Sequence, residues 1–218
     1  MKGYVIANLV DFLSLYEESN VKTMLSSFSC PYNNDVEEFI KYKAIEFSKQ
    51  DLAKTFLVFY SHKEIPVCVG YFTISIKSFT IKKNKVSEKK FKRLKKFGIY
   101  DKELKQCVIS APLIAQLSKN YNNDYNELIT GDDLLKMACD KVREAQSIIG
   151  GKIVYLECED KPKLIEFYNK NGFYEFDKRY LDKDEKSTTK EEYYIQMIRY
   201  FENVELWYIM NYIKLYIK

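Results

Sequence analysis

Histidine is almost missing from this chain: His62 is the only one in 218 residues. A Ser/His/Asp triad or a His-rich metal site therefore has little to draw on. His62 itself stands in Ser61-His62-Lys63-Glu64, a polar stretch between two apolar runs, and a hairpin turn accounts for it. Close cysteine spacing is missing too. Cys30, Cys68, Cys107, Cys139 and Cys158 never form the CxxC pattern of a zinc site or redox pair, so they read as buried free thiols and no metal is expected. No uninterrupted apolar run reaches membrane-spanning length. Residues 1–15 include Asp11 and show neither a basic leader nor a small-residue cleavage site, which leads to the expectation of a cytoplasmic protein.

What is present is a globular balance, 46% hydrophobic against 30% charged. The length suits one α/β core, read as a domain over 1–201. An apolar segment, 202–218, follows and is expected to pack on the domain or on a partner, a homodimer contact among the choices, with an anchor to a membrane surface the remaining alternative. Net charge is only +4, but residues 82–96 hold nine Lys or Arg against the single acid Glu88, which leaves the rest of the chain net acidic. This stretch lies in a basic insertion at about 80–105. A solvated surface is its plain reading, contact with phosphates of RNA the first functional one and membrane contact the second.

The order of elements follows from periodicity. A weak strand-and-helix pattern opens the chain at Gly3 to Leu15. Asn33-Asn34-Asp35 offers caps to a helix with Val36, Phe39, Ile40, Ala44 and Phe47 at helical spacing. Thr55–Tyr60 and Val67–Ile76 read as a hairpin joined by Ser61–Pro66. Ser87–Phe97 reads as a short helix stopped by Gly98. Val108–Leu117 is a strand with an irregularity expected at Pro112, followed by an Asn-rich loop over 120–130. A helix from Gly131 to Ile149, a strand Ile153–Cys158 and a helix from Asp160-Pro162 to Asn171-Gly172 come next. Two strands, Phe173–Tyr180 and Tyr193–Tyr200, flank the charged loop 182–192.

That order, together with Leu164-Ile-Glu-Phe-Tyr168-Asn-Lys-Asn-Gly172-Phe173, resembles the GNAT superfamily of acetyl-coenzyme A-dependent N-acetyltransferases. Tyr168, Gly172 and Phe173 keep the spacing of that family's AxxxYxxxGF, with Leu164 in place of the small residue. Gly131-Asp-Asp-Leu-Leu-Lys-Met-Ala138 is similar to its GxxLLxxA helix. Phe28-Ser-Cys30, Phe39-Ile40, Ala53-Lys-Thr55-Phe56-Leu-Val58 and Val69-Gly70-Tyr71-Phe72 bring the likeness closest to the branch that contains the aminoacyl-tRNA-acetylating toxins. The likeness runs from about residue 28 to residue 200.

The resemblance implies an α/β fold of acyl-CoA N-acyltransferase type, a mixed, mostly antiparallel central sheet flanked by helices. It implies acetyl-CoA as co-substrate and a small-molecule or protein amine as acceptor. Backbone groups of Leu117, Ser118 and Lys119 would pair with the pantetheine arm. The helix starting at Gly131 would take the pyrophosphate, and Tyr168 would be the general acid. The family's glycine-rich phosphate loop, however, is replaced by Asn126-Glu-Leu-Ile129-Thr130-Gly131, which keeps only its last glycine. Glycines let backbone N–H groups approach phosphate oxygens, so Asn126, Ile129, Thr130, Gly131 and Asp132 would form an altered cradle with help from Lys119. No general base stands out: Glu157, Glu159 and Asp160 end a strand, where charge is commonly solvated. Two readings stand beside acetyl transfer to a general amine. One is a tRNA-directed, toxin-like acetyltransferase; the other is a non-catalytic module with a degenerate phosphate loop.

Overall fold

The computed structural model describes residues 3–182 and 191–201. The apolar segment 202–218 and most of the charged loop before the last strand lie outside the described residues. Eight strands and seven helices alternate as β1 (Tyr4–Asn8), α1 (Leu9–Leu15), α2 (Glu18–Ser26), α3 (Asn34–Glu38), α4 (Ala44–Lys49), β2 (Lys54–His62), β3 (Ile65–Lys82), α5 (Glu88–Leu94), β4 (Gly98–Asp101), β5 (Gln106–Lys119), α6 (Gly131–Ile149), β6 (Ile153–Cys158), α7 (Pro162–Lys170), β7 (Tyr174–Tyr180) and β8 (Tyr193–Tyr200). The strands follow the order β1-β2-β3-β5-β6-β8-β7, with β4 paired to β5. The chain forms two compact units, one of residues 3–76, 113–138 and the described part of 179–194, the other of 77–112, 139–178 and 195–201.

In the first unit β1, β2 and β3 pair antiparallel. The β2–β3 hairpin is tighter than its sequence suggests. Pro66 already pairs with Ser61, so the turn is only Lys63-Glu64, both with positive φ (49° and 67°). That is the backbone of a two-residue primed turn, whose twist matches the strands although neither residue is the glycine or asparagine that usually announces it. Asn33 caps α3, its side-chain oxygen accepting from Val36 N–H at 3.1 Å. A π turn over Phe39–Lys43 joins α3 to α4, so the helix expected through Phe47 is real but locally underwound. Its apolar face closes a core of Leu9, Val21, Leu25, Phe28, Ile40 and Leu57, among others.

In the second unit β6 and β8 pair antiparallel in the register Ile153↔Tyr200, and Phe79, Tyr155 and Phe176 stack with ring centroids 4.3 to 6.2 Å apart. Ser87 caps α5 through Lys90 N–H at 3.4 Å, and Phe91 and Leu94 are its buried anchors. Gly98 does not stop this helix in the expected way. Its φ is −151°, an extended value, and it opens β4 instead. It is glycine because a Cβ there would sit 2.2 Å from the carbonyl oxygen of Val108 on the paired strand. Nor does Pro112 end its strand: β5 runs from Gln106 to Lys119, since proline's fixed φ is compatible with extended backbone and it removes only one donor.

Candidate functional site

The residues expected to face the cofactor come together in the first unit, at the end of β5 and the start of α6. Ser118 is buried, and its hydroxyl donates to the Lys119 carbonyl at 2.8 Å. Gly70 permits this stretch to approach β3, because a Cβ there would lie 2.9 Å from the Ser118 carbonyl oxygen and 3.3 Å from Leu134. Leu117 and Lys119 are half-buried. The Lys119 ammonium donates to the Asn126 carbonyl at 3.0 Å and also faces the Tyr121 ring. Residues 122–128, read from the sequence as loop, are tight helical turn, kinked by left-handed Asn123 and Asp124. These residue types tolerate that backbone best after glycine.

At the phosphate-loop position Ile129 is buried at 2% exposure and points inward, so it cannot line a ligand surface. Thr130 caps α6: its hydroxyl accepts from Asp133 N–H at 3.0 Å and donates to the Asp133 carboxylate at 2.7 Å. Asp132 and Asp133 both stand in the first turn. Acids there stabilise the helix by facing its positive end, but they hold the place where a pyrophosphate would otherwise find backbone N–H groups and no competing charge. The helix start, with its two acids, is thus poorly suited to a pyrophosphate.

Tyr168 lies in the second unit, on α7. Pro162 starts this helix and Gly172, with φ of 81°, ends it. The Tyr168 carbonyl accepts from Phe173 N–H at 3.0 Å, and the ring packs edge-on to Phe167 and Phe173. These contacts are the physical content of the Tyr168-Gly172-Phe173 spacing. Burial, reinforced by the nearby Cys158 and Cys139 thiols, holds its phenol well above the ordinary tyrosine value. Those thiols are themselves pushed up by burial, Cys158 to about 12 and Cys139 to about 11, the latter against the opposing pull of Arg199. The cluster is therefore protonated and neutral near pH 7. Its hydroxyl makes no hydrogen bond to the described residues.

Two contributors escaped sequence reading. Asn120, only 3% exposed, was taken as loop. In fact its oxygen accepts from Ser29 N–H (3.1 Å) and Asn122 N–H (3.0 Å), while its amide donates to the Cys68 carbonyl (2.9 Å). It ties the end of β5 to β3 and to the turn before α3. The second is Asp133, whose pairing with Thr130 is foreshadowed by the Thr-x-x-Asp spacing of a capping box. In the second unit Glu157 is also more than a solvated strand end. Lys77 reaches both of its oxygens at 3.2 Å, and Tyr155 donates to it while receiving the Gln196 amide at 2.7 Å. Among the described residues no group of three His, Cys, Asp or Glu could hold a metal.

No family model matches the sequence, and no curated protein matches it. Solved structures do. A tyrosine-to-phenylalanine mutant of the toxin AtaT superposes with a TM-score of 0.62 at 15% identity, over 95% of each chain. AtaT complexed with acetyl-methionyl-tRNAfMet gives 0.57 at 16% identity, over 88% of this chain and 93% of that one. AtaTR bound with acetyl-CoA gives 0.55 at 15% identity, over 95% and 99%. At such identities the likeness speaks for the backbone alone, and it agrees with the element order read from the motifs. The chain therefore has the GNAT fold, shared with these toxin structures.

Proposed function

We propose that the chain is an N-acetyltransferase that moves the acetyl group of acetyl-CoA to a primary amine, with Tyr168 as the proton donor. The observation that carries this reading is the buried, neutral Tyr168 phenol at the end of α7 in a GNAT fold, free of any hydrogen bond to the described residues. Acetyl-CoA, when bound, would supply a thioester whose C–S bond breaks as the amine nitrogen bonds to the acetyl carbon, the nitrogen shedding one proton to solvent as the amide forms. The chain's own tasks are to hold, polarise and protonate. Backbone groups of Leu117–Lys119 hold the pantetheine arm in extended register, and an N–H there stabilises negative charge developing on the carbonyl oxygen. Tyr168 gives its proton to the departing sulfur, and its raised pKa keeps that proton in place throughout the neutral range.

The direct test is binding and transfer measured side by side. Acetyl-CoA should raise the melting temperature of the wild type and of Tyr168→Phe alike, while release of free thiol with a validated amine acceptor should fall in the variant alone. Equal transfer rates would remove Tyr168 from the reaction.

A tRNA-directed version of the same chemistry is favoured by the exposed lysines of the basic insertion and by the neighbour solved with acetyl-methionyl-tRNAfMet. Protection of aminoacyl-tRNA from deacylation, measured with the purified chain and acetyl-CoA, separates it from transfer to small amines. The acid-loaded first turn of α6 favours a non-catalytic module instead. That reading stands if no acetyl-CoA binding is found while the fold is intact.

A further inference from the structure

Between residues 82 and 105 there are eleven Lys or Arg against three Asp or Glu; Lys92 is exposed on α5, and the other ten fall into two sets. Lys85 pairs with Asp177 at 2.9 Å, and Lys90, Arg93 and Lys95 lie 3.6 to 3.9 Å over the rings of Tyr174, Tyr200 and Tyr100. These four are tied to the second unit. Lys82, Lys83, Lys89, Lys96, Lys102 and Lys105, by contrast, are exposed and meet no acidic group among the described residues. Four of the six gather at one place, because Lys83 N–H donates to the Lys105 carbonyl at 2.9 Å where β3 passes the β4–β5 turn.

The same turn carries aliphatic side chains facing water. Ile99 is 80% exposed and Leu104 63%, and Val108, the cross-strand partner of Ile99, shares its open face. Leu104 is fixed there: Asp101 accepts from both Glu103 and Leu104 N–H at 2.9 Å, and Lys105 closes the turn with φ of 50°. Each such residue alone would be ordinary surface. Together they form an ordered hairpin tip that is apolar in the middle and cationic at the rim.

We infer that this hairpin tip docks on an anionic lipid surface, with Leu104 and Ile99 entering the headgroup layer and Lys82, Lys83, Lys102 and Lys105 meeting lipid phosphates. An RNA backbone would satisfy the charge but not the aliphatic residues. Base stacking needs open aromatics, and those of the insertion are engaged, Phe91 with Tyr100 and Phe97 with Tyr200. The single arginine of the stretch lies on a ring, which leaves lysine point charges of the kind that suit a diffuse lipid potential. The inference does not rest on the acetyl-transfer reading.

The test is co-sedimentation of the full chain with vesicles of phosphatidylcholine alone and with about one third phosphatidylglycerol, at physiological salt. Binding is expected only to the anionic vesicles. Each lysine lost should weaken it about five-fold, so Lys83→Ser, Lys102→Ser and Lys105→Ser together should cost roughly a hundred-fold. Ile99→Ser with Leu104→Ser, which leaves the charge unchanged and alters only exposed groups, should cost about ten-fold. Anionic vesicles bound equally well by the aliphatic double variant would overturn the inference, as would no binding at all. So would tighter binding to a single-stranded RNA competitor that the aliphatic changes leave untouched.

Discussion

Tyr71 and Tyr168 are both buried tyrosines whose phenols are held above the ordinary value, in each case chiefly by loss of water. They differ in what the hydroxyl does. On β3, Tyr71 donates to the Val36 carbonyl at 2.6 Å and its ring packs edge-on against Phe28. Its polar end closes a helix–strand contact, and nothing is left over for a ligand. Tyr168 buries the same ring without such an acceptor among the described residues. A packed ring whose hydroxyl meets no acceptor among the described residues keeps its proton available, and packing of the ring alone supplies no reason to prefer tyrosine to phenylalanine. Hydrogen bonding, and not burial, therefore separates the two among 19 tyrosines.

The sharpest way to break this comparison is the pair of phenylalanine variants. Tyr168→Phe should lower acetyl transfer by about a hundred-fold or more, the usual range for removing a positioned proton donor, with little change in melting temperature. Tyr71→Phe should do the reverse, costing about 1 kcal/mol of stability by removing its hydrogen bond to the Val36 carbonyl while transfer per folded molecule persists. Chemical denaturation and a thiol-release assay read the two effects independently. Matching losses in both variants would collapse the distinction.

Asn120→Ala addresses the scaffold of the first unit. It strands the N–H groups of Ser29 and Asn122 and the carbonyl of Cys68 at once, and a loss of about 3 kcal/mol in urea unfolding is expected. A loss under about 1 kcal/mol would mean that water replaces the side chain and that the end of β5 is held by strand pairing alone.

This contrast also shows what could be read in advance. Helices and strands with strong periodicity were legible: α6, β6, α7 and β8 lie where Leu134, Val142, Phe167 and Ile195 put them, because burial of a repeating face decides them. The helix end that presents the proposed proton donor was legible through Tyr168-Gly172-Phe173, whose spacing the end of α7 reproduces. What was hidden depended on partners distant in sequence. Gly98 looks like a helix stop, yet the requirement for glycine comes from Val108 across a strand. Asn120 looks like loop, yet Cys68 and Ser29 make it a latch. The turn within Ser61–Pro66 was legible, but its tight two-residue form at Lys63-Glu64 was not, because the pairing of His62 with Ile65 imposes that backbone.

A smaller effect concerns acid. Glu37 is held below its ordinary value near 4.5, first by Lys41 and then by the Cys30 N–H. A group whose folded pKa is depressed contributes stability that is complete above its unfolded value and fades as pH falls through the folded one. Glu37→Gln should therefore lose a modest increment, about 1 kcal/mol for a half-buried pair, at pH 7, and progressively less as pH falls through the folded pKa. A gap between variant and wild type that widened toward low pH would contradict this sign.

The mildest prediction concerns the acid-loaded start of α6, where the fold invites an anion and two carboxylates discourage it. Asp133 is engaged with Thr130, so removing it would also cost the cap. Asp132 is exposed, and changing it leaves the Thr130–Asp133 cap in place. Its charge faces the positive end of the helix, worth about 0.3–1 kcal/mol to an anion in that position. If a pyrophosphate shares this place, Asp132→Asn should tighten acetyl-CoA binding by two- to five-fold, with the gain shrinking as salt rises because exposed charges are screened. Dephospho-CoA, which keeps the pyrophosphate, should show the same gain, whereas pantetheine, which lacks it, should show none. An equal gain for pantetheine would place the pyrophosphate away from the α6 N-terminus and transfer that role to the Lys119 side of the turn.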